Sequence, residues 1–195
     1  TNNDINGKIK TDSIMTTNLL KSNSQGLPSA AFTGHRHIPY VKYPQIKGRL
    51  KVAIYNAYLQ GIRNFRCGMA VGFDILAAEA VLELKEQLHD ISLSAIVPYR
   101  NQSERFAPAA RKKYNAILEK SDDVTVLSED YYTRCFHERN DYMIQHSSLL
   151  IAYFDGTPKG GTFYTCNKAA AKGVPVNNLY IPCLLYTSDA ADEAR

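Results

Sequence analysis

Three glycine-rich stretches combine backbone amides with hydroxyl and cationic side chains. They are TGHR (33–36), GMAVGFD (68–74) and DGTPKGGTFYT (155–165). Glycine lets backbone N–H groups approach an anion closely, and a helix that begins just after such a turn adds the positive end of its dipole. These residue types could therefore bind a phosphate or another anion. The alternative for each turn is that its glycine only permits a tight bend.

The candidate ligand-binding residues come mainly from these turns. Glycine amides and threonine hydroxyls would donate hydrogen bonds to phosphate oxygens, and Arg36 would supply positive charge. His35 is either a further donor or an exposed turn residue. The candidate set is Thr33, Gly34, His35, Arg36, Gly68, Gly72, Asp74, Arg139, Gly160, Gly161, Thr162 and Thr165. No turn has the GxxxxGK[ST] spacing of a P-loop or a clean GxGxxG dinucleotide fingerprint.

Two charged residues of this set have competing interpretations. Arg139, in HERNDYM (137–143), could clamp a phosphate or carboxylate with two parallel hydrogen bonds, whereas composition alone favours an ordinary surface arginine. Asp74 could accept a hydrogen bond from a ribose hydroxyl, but capping of a helix N-terminus would also explain it. His137 and His146 are nine residues apart and no HExxH occurs, so we predict no metal site.

Short apolar runs alternate with helical patterns through the middle of the chain. SAAF (29–32) is typical of a strand, and QIKGRLKVAIYNAYLQG (45–61) repeats apolar residues at helical spacing before it ends at a glycine. The clearest helix is DILAAEAVLELKEQLHD (74–90), with Asp74 as its predicted N-cap. Its apolar stripe comprises Leu76, Ala80, Leu84 and Leu88.

This alternation predicts the fold class, an α/β Rossmann-like, doubly wound and mostly parallel sheet with helices on both faces, in a single domain. The nearly continuous apolar run LLIAYF (149–154) suits a central strand covered on both faces. In such sheets ligands bind outside the carboxyl ends of the strands, near the topological switch point. Three glycine turns at those ends would converge on one crevice, which favours anion binding for the set.

Composition and charge limit the classes of function. The chain has 195 residues, is 45% hydrophobic and carries a net charge of +4. This charge weakly favours small anionic ligands and says little about nucleic acid. No apolar run approaches the ~20 residues that span a bilayer, and no signal peptide is visible. The four cysteines lack CxxC spacing. We therefore expect reduced thiols, a cytoplasmic location and no membrane partner.

The two ends of the chain differ from the middle. Residues 1–28 are rich in Asn, Ser and Thr and are predicted to be a flexible N-terminal tail. The first residue is Thr rather than Met, which is consistent with a fragment. Residues 183–195 include CLLYTSDAADE, which resembles the translation of an adapter used in preparing sequencing libraries. We expect this end not to be native, against the alternative of a genuine acidic terminus, and assign the domain to 29–182.

Four of the motifs occur in the order seen in the SLOG superfamily of Rossmann-like proteins. They are TGHR, GMAVGFD, HERNDYM and GGTFYT. The chain most resembles the YpsA-like bacterial branch, and the superfamily also includes the DNA-processing protein DprA and the LONELY GUY phosphoribohydrolases. The resemblance runs from Ser29 to about Ile181 and implies a nucleotide-type ligand in the crevice.

The resemblance also implies roles for particular residues. Arg139 resembles the substrate-engaging arginine of the phosphoribohydrolases, and the turn of Gly160, Gly161, Thr162 and Thr165 resembles their phosphate-binding turn. In those enzymes a glutamate pair follows the turn and a proline directly precedes its glycines. Here the residues that replace the pair are Cys166, Asn167 and Lys168, and Lys159 replaces the proline. The phosphate-binding turn is therefore expected without the hydrolytic carboxylates.

These observations predict a SLOG-type domain that binds a nucleotide or nucleotide-derived phosphate ligand, as a sensor or regulatory module. We expect no catalytic residue, no metal and no required cofactor. One alternative is a nucleoside-monophosphate phosphoribohydrolase-like enzyme that uses Glu138 or Glu79. Another is DprA-like binding of single-stranded DNA, which the mild positive charge disfavours, so a nucleic-acid partner is not expected. The sequence leaves homo-oligomerisation open.

Overall fold

The computed structural model describes residues 28–182, so the predictions for residues 1–27 and 183–195 lie outside the described chain. The strands are β1 Ser29–Gly34, β2 Asn64–Cys67, β3 Ser92–Val97, β4 Asp123–Val126, β5 Leu149–Tyr153 and β6 Val176–Asn178. The helices are α1 Tyr43–Leu59, α2 Phe73–Lys85, α3 Pro108–Lys120, α4 Cys135–Gln145 and α5 Gly160–Ala171. Short 3₁₀ helices cover Tyr40–Lys42 and Gln102–Arg105.

The strands form one sheet in the order β4-β3-β2-β1-β5-β6, and every neighbouring pair is parallel. The chain builds outward from β1 to β4 and then returns to the other side of β1 as β5. The topological switch point therefore lies between β1 and β5, where Gly34 is in register with Tyr153. This confirms the predicted α/β Rossmann-like, parallel fold and places the turns after β1 and β5 side by side.

Helices cover both faces of the sheet. Along β1, Ala30 and Phe32 belong to a core cluster that includes residues of α1, α2 and α3. Ala31, which points to the opposite face, belongs to a second cluster with Met143 of α4 and Ala169 of α5. All three β1 residues are fully buried, because both faces of a parallel sheet are covered. This explains why the central strands are apolar at successive positions rather than at alternate ones.

The start of α2 differs from the prediction. Gly72 is the N-cap and Asp74 lies inside the first turn, so the predicted N-capping by Asp74 is wrong. The Asp74 carboxylate instead accepts a hydrogen bond from the backbone amide of Ala70, at 3.2 Å. The helix ends at Lys85, so Leu88 follows it and packs only partly buried against the core. The residue before α2 is a glycine because the backbone of His35 and Arg36 lies too close to leave room for a side chain there.

Two further features bear on function. Within residues 28–182, no helix combines the length and apolar character needed to cross a membrane. The three cysteines in that range, Cys67, Cys135 and Cys166, are free thiols, and the first two are buried.

Candidate functional site

A cavity of about 220 Å³ opens at the switch point, beyond the carboxyl ends of β1 and β5. Four segments line it: the end of β1 and its turn, the turn before α2 with the start of that helix, one face of α4, and the start of α5. Its lining residues are Phe32, Thr33, Gly34, His35, Arg36, Ala70, Asp74, Phe136, Arg139, Asn140, Lys159, Gly160, Gly161 and Thr162. The predicted convergence of separate turns on one crevice is therefore present in the structure.

Nine of the twelve predicted residues line this cavity, and Gly68, Gly72 and Thr165 do not. Thr165 is fully buried inside α5, where its hydroxyl donates a 2.7 Å hydrogen bond to the carbonyl of Gly161. That bond satisfies the hydroxyl within its own helix. The structure thus gives Thr165 a packing position one turn behind the cavity wall.

Gly68 and Gly72 allow close packing between turns. The carbonyl of Gly68 accepts a hydrogen bond from Nη1 of Arg139, and a Cβ on Gly68 would lie 2.6 Å from the guanidinium carbon. Gly72 has a φ of +86°, and a Cβ there would lie 2.6 Å from the carbonyl oxygen of His35. For Gly72 the structure agrees with the tight-turn alternative, whereas Gly68 has no positive φ and its close neighbour is the Arg139 side chain.

Arg139 is buried, with only 4% of its surface exposed, so its interpretation as a surface arginine is wrong. Its Nη1 lies 3.7 Å from Oδ2 of Asp74, a residue that is also buried. Burial lowers the pKa of Arg139 and raises the pKa of Asp74, and in each case the opposite charge of the partner counters the effect. Each residue therefore stabilises the charge of the other inside the fold.

The Arg139 guanidinium is not fully satisfied by the protein. Its Nε is buried and has no hydrogen-bond partner in the described chain, although Nη1 binds the carbonyl of Gly68. That nitrogen is enclosed by the protein and lies near Gly68, so this arrangement does not offer it to a ligand. Arg139 therefore serves here as a contact that joins α4 to the turn after β2 and to Asp74.

Asn140 is a second buried polar residue in the lining, and the sequence analysis missed it. It is 7% exposed, and its side-chain amide makes no hydrogen bond within residues 28–182. A Cβ placed on Gly161 would have the Asn140 Nδ2 as its nearest neighbour, at 3.9 Å, so this amide faces the start of α5. Its position next to Arg139 in HERNDYM was the only signal in the sequence that could have pointed to it.

The start of α5 has no side-chain cap. Lys159 is the N-cap residue in an extended conformation, and its side chain makes no capping hydrogen bond. The backbone amides of Gly160, Gly161 and Thr162 therefore lack intrahelical partners at the cavity wall. Such amides, together with the helix dipole, favour a bound anion.

Positive charge exceeds negative charge in the lining. Among the described residues Asp74 is the only carboxylate in the lining, and Arg139 already compensates it. Arg36 is exposed and lies over the ring of Phe136, 5.0 Å from the ring centroid, without an ion pair in the described range. Lys159 likewise makes no ion pair with any described residue. Two uncompensated cations thus remain at this cavity.

His35 connects the turns after β1 and β5. Its Nε2 lies 3.1 Å from Oδ1 of Asp155 and accepts a hydrogen bond from the Asp155 backbone amide, also at 3.1 Å. The imidazole is therefore held by protein partners at one ring nitrogen. Asp155, outside the cavity, has its own pKa lowered chiefly by a hydrogen bond from the backbone of Thr157.

The glutamates considered for hydrolysis lie outside the lining. Glu138 is exposed and accepts a hydrogen bond from the hydroxyl of Tyr132. Glu79 pairs with Lys47 at 3.3 Å and with Lys113 at 3.0 Å. Cys166 is also absent from the lining, and burial raises the pKa of its thiol to about 11, which disfavours a reactive thiolate. None of these three residues lines the cavity.

No group of three or more His, Cys, Asp or Glu side chains in residues 28–182 is arranged to hold a metal ion. Two residues to which the sequence analysis assigned no role, Arg100 and His37, have clear positions. Arg100 forms a paired contact with Glu129, with N–O distances of 2.5 and 2.6 Å. His37 lines a neighbouring cavity of about 250 Å³ that shares His35 and Arg36 with the first.

Comparison with known proteins gives the same superfamily. The model of the YspA SLOG family matches residues 34–181. A UPF0398 protein of Halalkalibacterium halodurans is 31% identical over 133 residues, which cover 67% of this chain and 68% of that protein. A UPF0398 protein of Bacillus cereus is 28% identical over 124 residues, covering 63% of this chain and 66% of the relative. The matched parts thus span about two thirds of these relatives' length.

Two solved structures share the fold. DprA of Streptococcus pneumoniae superposes with a TM-score of 0.59 at 21% identity, covering 83% of this chain and 53% of the DprA chain. DprA of Helicobacter pylori, whose structure was described for its single-stranded DNA binding mode, gives 0.54 at 18% identity, with coverage of 76% and 63%. At these identities the likeness concerns the fold alone. The family model, by contrast, matches well over half of the chain, which therefore belongs to the YspA SLOG family.

Proposed function

We propose that the protein binds a nucleotide or a nucleotide-derived phosphate ligand in the cavity between β1 and β5, as a sensor or regulatory module. The observation that carries this proposal is the side-chain amide of the buried residue Asn140, which has no partner among residues 28–182 and faces the uncapped start of α5. A bound phosphate would supply the acceptors that this amide and the N–H groups at the start of the helix lack.

Each part of such a ligand has a plausible partner. The amides of Gly160–Thr162 would bind a phosphate, and Arg36 would add charge. Asp74 would accept a hydrogen bond from a ribose hydroxyl through the oxygen that does not face Ala70. The volume of about 220 Å³ is below the ~300–1,000 Å³ of pockets that enclose a drug-sized ligand, so the phosphate and sugar would fill the cavity and the base would lie at its mouth, near Phe136.

Binding without turnover is the expected behaviour. Among the described residues the lining holds one carboxylate, Asp74, whose Oδ2 contacts Ala70 and Arg139 and whose other oxygen would bind the ribose. No second carboxylate of the described chain lines the cavity to act with it as the acid or base of hydrolysis. A ligand that is held but not converted suits a sensor. Incubation with AMP should therefore release no free adenine, as measured by chromatography; release would instead support the phosphoribohydrolase alternative.

The free thiols of Cys67, Cys135 and Cys166 support a reducing compartment such as the cytoplasm.

The Gly161→Glu variant should separate ligand binding from folding. A carboxylate at the start of α5 would repel a phosphate, yet it should interact favourably with the helix N-terminus. A Cβ at this position would make only an ordinary contact, at 3.9 Å from the Asn140 amide nitrogen. We expect the variant to unfold at the same temperature as the wild type or higher, and to lose the stabilisation by nucleotides. In the wild type, ligand at 100 times its Kd should add about 2.7 kcal/mol to the free energy of unfolding.

The measurement is thermal unfolding of the full chain with a panel of nucleoside mono-, di- and triphosphates, followed by calorimetric titration of any ligand that raises Tm. Gly161→Ala is the matched control, because it adds the same Cβ without the charge and should keep most of the affinity. The proposal fails if no nucleotide stabilises the wild type, or if Gly161→Glu binds as tightly as Gly161→Ala.

Single-stranded DNA is a second candidate ligand because of an aromatic strip beside the cavity. The strip consists of the half-buried Phe136 and the exposed Tyr131, which pack on the buried Tyr99. Arg36 lies over the ring of Phe136 and Arg105 over the ring of Tyr131. The ring centroid of Tyr131 lies 6.3 Å from that of Phe136 and 5.5 Å from that of Tyr99. Aromatic rings alternating with cations are the surface on which unpaired bases stack. The DprA fold likeness agrees with this candidate, whereas the net charge of only +4 favours it weakly.

If the strip binds DNA, Tyr131→Ala should weaken binding of an oligothymidine about tenfold at low salt, because one stacked base contributes roughly 1–3 kcal/mol. Tyr131 is 49% exposed, so the substitution should not disturb folding. Tyr55→Ala on α1, where the tyrosine is 47% exposed, is the matched control. Fluorescence anisotropy would measure both variants. An absence of oligonucleotide binding by the wild type at 50 mM salt would exclude this candidate.

A further inference from the structure

Lys159 has a fixed backbone and a free side chain. Its amide donates a 2.8 Å hydrogen bond to the carbonyl of Thr157, which holds the residue in the tight turn before α5. The side chain is exposed, lines the cavity and makes no hydrogen bond or ion pair within residues 28–182. A long cationic side chain on a rigid turn at the rim of a cavity is well placed to bind an anion that extends beyond the first anion-binding position.

The first position does not need Lys159. The amides of Gly160–Thr162 and the side-chain amide of Asn140 already offer several hydrogen bonds to one phosphate. Arg36, on the separate turn after β1, adds a full charge to the half charge of the helix N-terminus. One phosphate monoester carries about −1.5 to −2 charges, which these groups nearly compensate. Lys159 therefore adds a charge that a single phosphate leaves unused.

We propose that the ligand of this cavity carries two linked phosphates and that Lys159 binds the second of them, so that this residue determines specificity for a diphosphate over a monophosphate. This inference rests on the proposed nucleotide binding and deepens it. The first phosphate lies at the start of α5 and the second extends toward the open side of the cavity. An ammonium group is suited to the second, because its three donors and flexible stem can follow a phosphate whose position is less constrained.

The experiment compares AMP with ADP, and inorganic phosphate with pyrophosphate, by calorimetric titration of the full chain at constant ionic strength. Divalent cations are removed by a chelator, because they would bind the diphosphates directly. We expect the wild type to bind ADP and pyrophosphate about tenfold or more tightly than AMP and phosphate, since hydrogen bonds to charged groups contribute about 1.5–3 kcal/mol.

Lys159→Gln should remove this preference and leave the affinity for AMP unchanged within about twofold, because it removes the charge at the second phosphate only. Lys172→Gln, at the other end of α5, is the matched control and should keep the preference. Equal affinities of the wild type for AMP and ADP would overturn the inference while the proposed function stands. A preference for ADP that survives in Lys159→Gln would overturn the role of Lys159. If neither nucleotide binds, the proposed function itself fails.

Discussion

Replacing Gly72 by alanine is expected to lower the free energy of unfolding by roughly 3–5 kcal/mol, the sum of backbone strain and overpacking. Gly72 has φ +86° and ψ −122°, a conformation that residues with a Cβ rarely adopt. The added Cβ would also lie 2.6 Å from the carbonyl oxygen of His35 and 2.7 Å from the carbonyl carbon of Arg36. Both are backbone atoms, so no side-chain rotation can relieve the contact.

Gly173→Ala is the matched control for this prediction. Gly173 also has a positive φ, +69°, but a Cβ there would have no neighbour within 4 Å. It should therefore cost only the strain of a left-handed residue, about 1–2 kcal/mol. Urea unfolding followed by circular dichroism measures both variants. Equal losses of stability would show that the close approach of the turns after β1 and β2 is not what requires glycine at position 72.

Because the amide of Phe73 also donates a 3.1 Å hydrogen bond to the carbonyl of His35, disturbing Gly72 should reach the cavity as well. His35 and Arg36 line the cavity, and their backbone is held against α2 by these contacts. Any Gly72→Ala protein that folds should thus bind its ligand more weakly than Gly173→Ala.

Arg139→Met is expected to lower the free energy of unfolding by about 3–5 kcal/mol at neutral pH, because it leaves the buried Asp74 without its compensating charge. The carbonyl of Gly68 would lose its hydrogen-bond donor at the same time. Methionine keeps much of the volume of the arginine side chain, so the loss reports on charge and hydrogen bonding more than on packing.

The pH dependence of this deficit identifies its cause. Burial raises the folded-state pKa of Asp74, and loss of Arg139 would raise it further above the ordinary value of about 4. An acid of this kind contributes stability that is complete below its unfolded pKa and is lost as pH rises through its folded pKa. The difference between Arg139→Met and the wild type should therefore be small near pH 4 and increase toward neutral pH.

Urea unfolding at several pH values measures this difference. The double variant Asp74→Asn with Arg139→Met should recover part of the stability, because it removes the buried charge that the single variant leaves unpaired. A deficit that does not change with pH would mean that the contact with the Gly68 carbonyl, rather than the ion pair, is the main contribution of Arg139.

The two variants at the cavity itself are expected to have much smaller effects on stability. Gly161→Glu and Lys159→Gln change exposed positions at the start of α5. Substitutions at exposed sites usually change stability by about 0.5 kcal/mol or less. Substitutions at Lys159 and Gly161 therefore test ligand binding. Substitutions at Gly72 and Arg139 test folding.

Much of the architecture could be predicted from local sequence patterns. The helical spacing in residues 45–61 predicted α1, whose buried face includes Ile46, Leu50 and Ile54. The apolar run at 149–154 predicted a central strand, and β5 pairs with both β1 and β6. Such patterns are local because burial on one side of a helix, or on both faces of a strand, repeats at a fixed period.

The meeting of the turns after β1 and β5 was also predictable, because parallel strands place their carboxyl ends on one edge and the ligand site at the switch point. Most residues of the lining were in the predicted set as well, but the contacts between them were not predictable. Gly68 and Arg139 are 71 positions apart, and their contact exists only because α4 packs over the turn that follows β2. The same packing buries the Arg139–Asp74 pair and aims Asn140 at the start of α5.

The sequence by itself thus determined the alternation of strands and helices, their parallel arrangement and the edge of the sheet where a ligand would bind. Only the tertiary structure decided that Asp74 is an ion-pair partner rather than a helix cap and that Gly68 and Gly72 serve close packing. It also decided that Lys159 has no counterion among residues 28–182. The physical reason is that secondary structure follows from periodic burial along the chain, whereas the charge and hydrogen bonding of a side chain depend on neighbours distant in sequence.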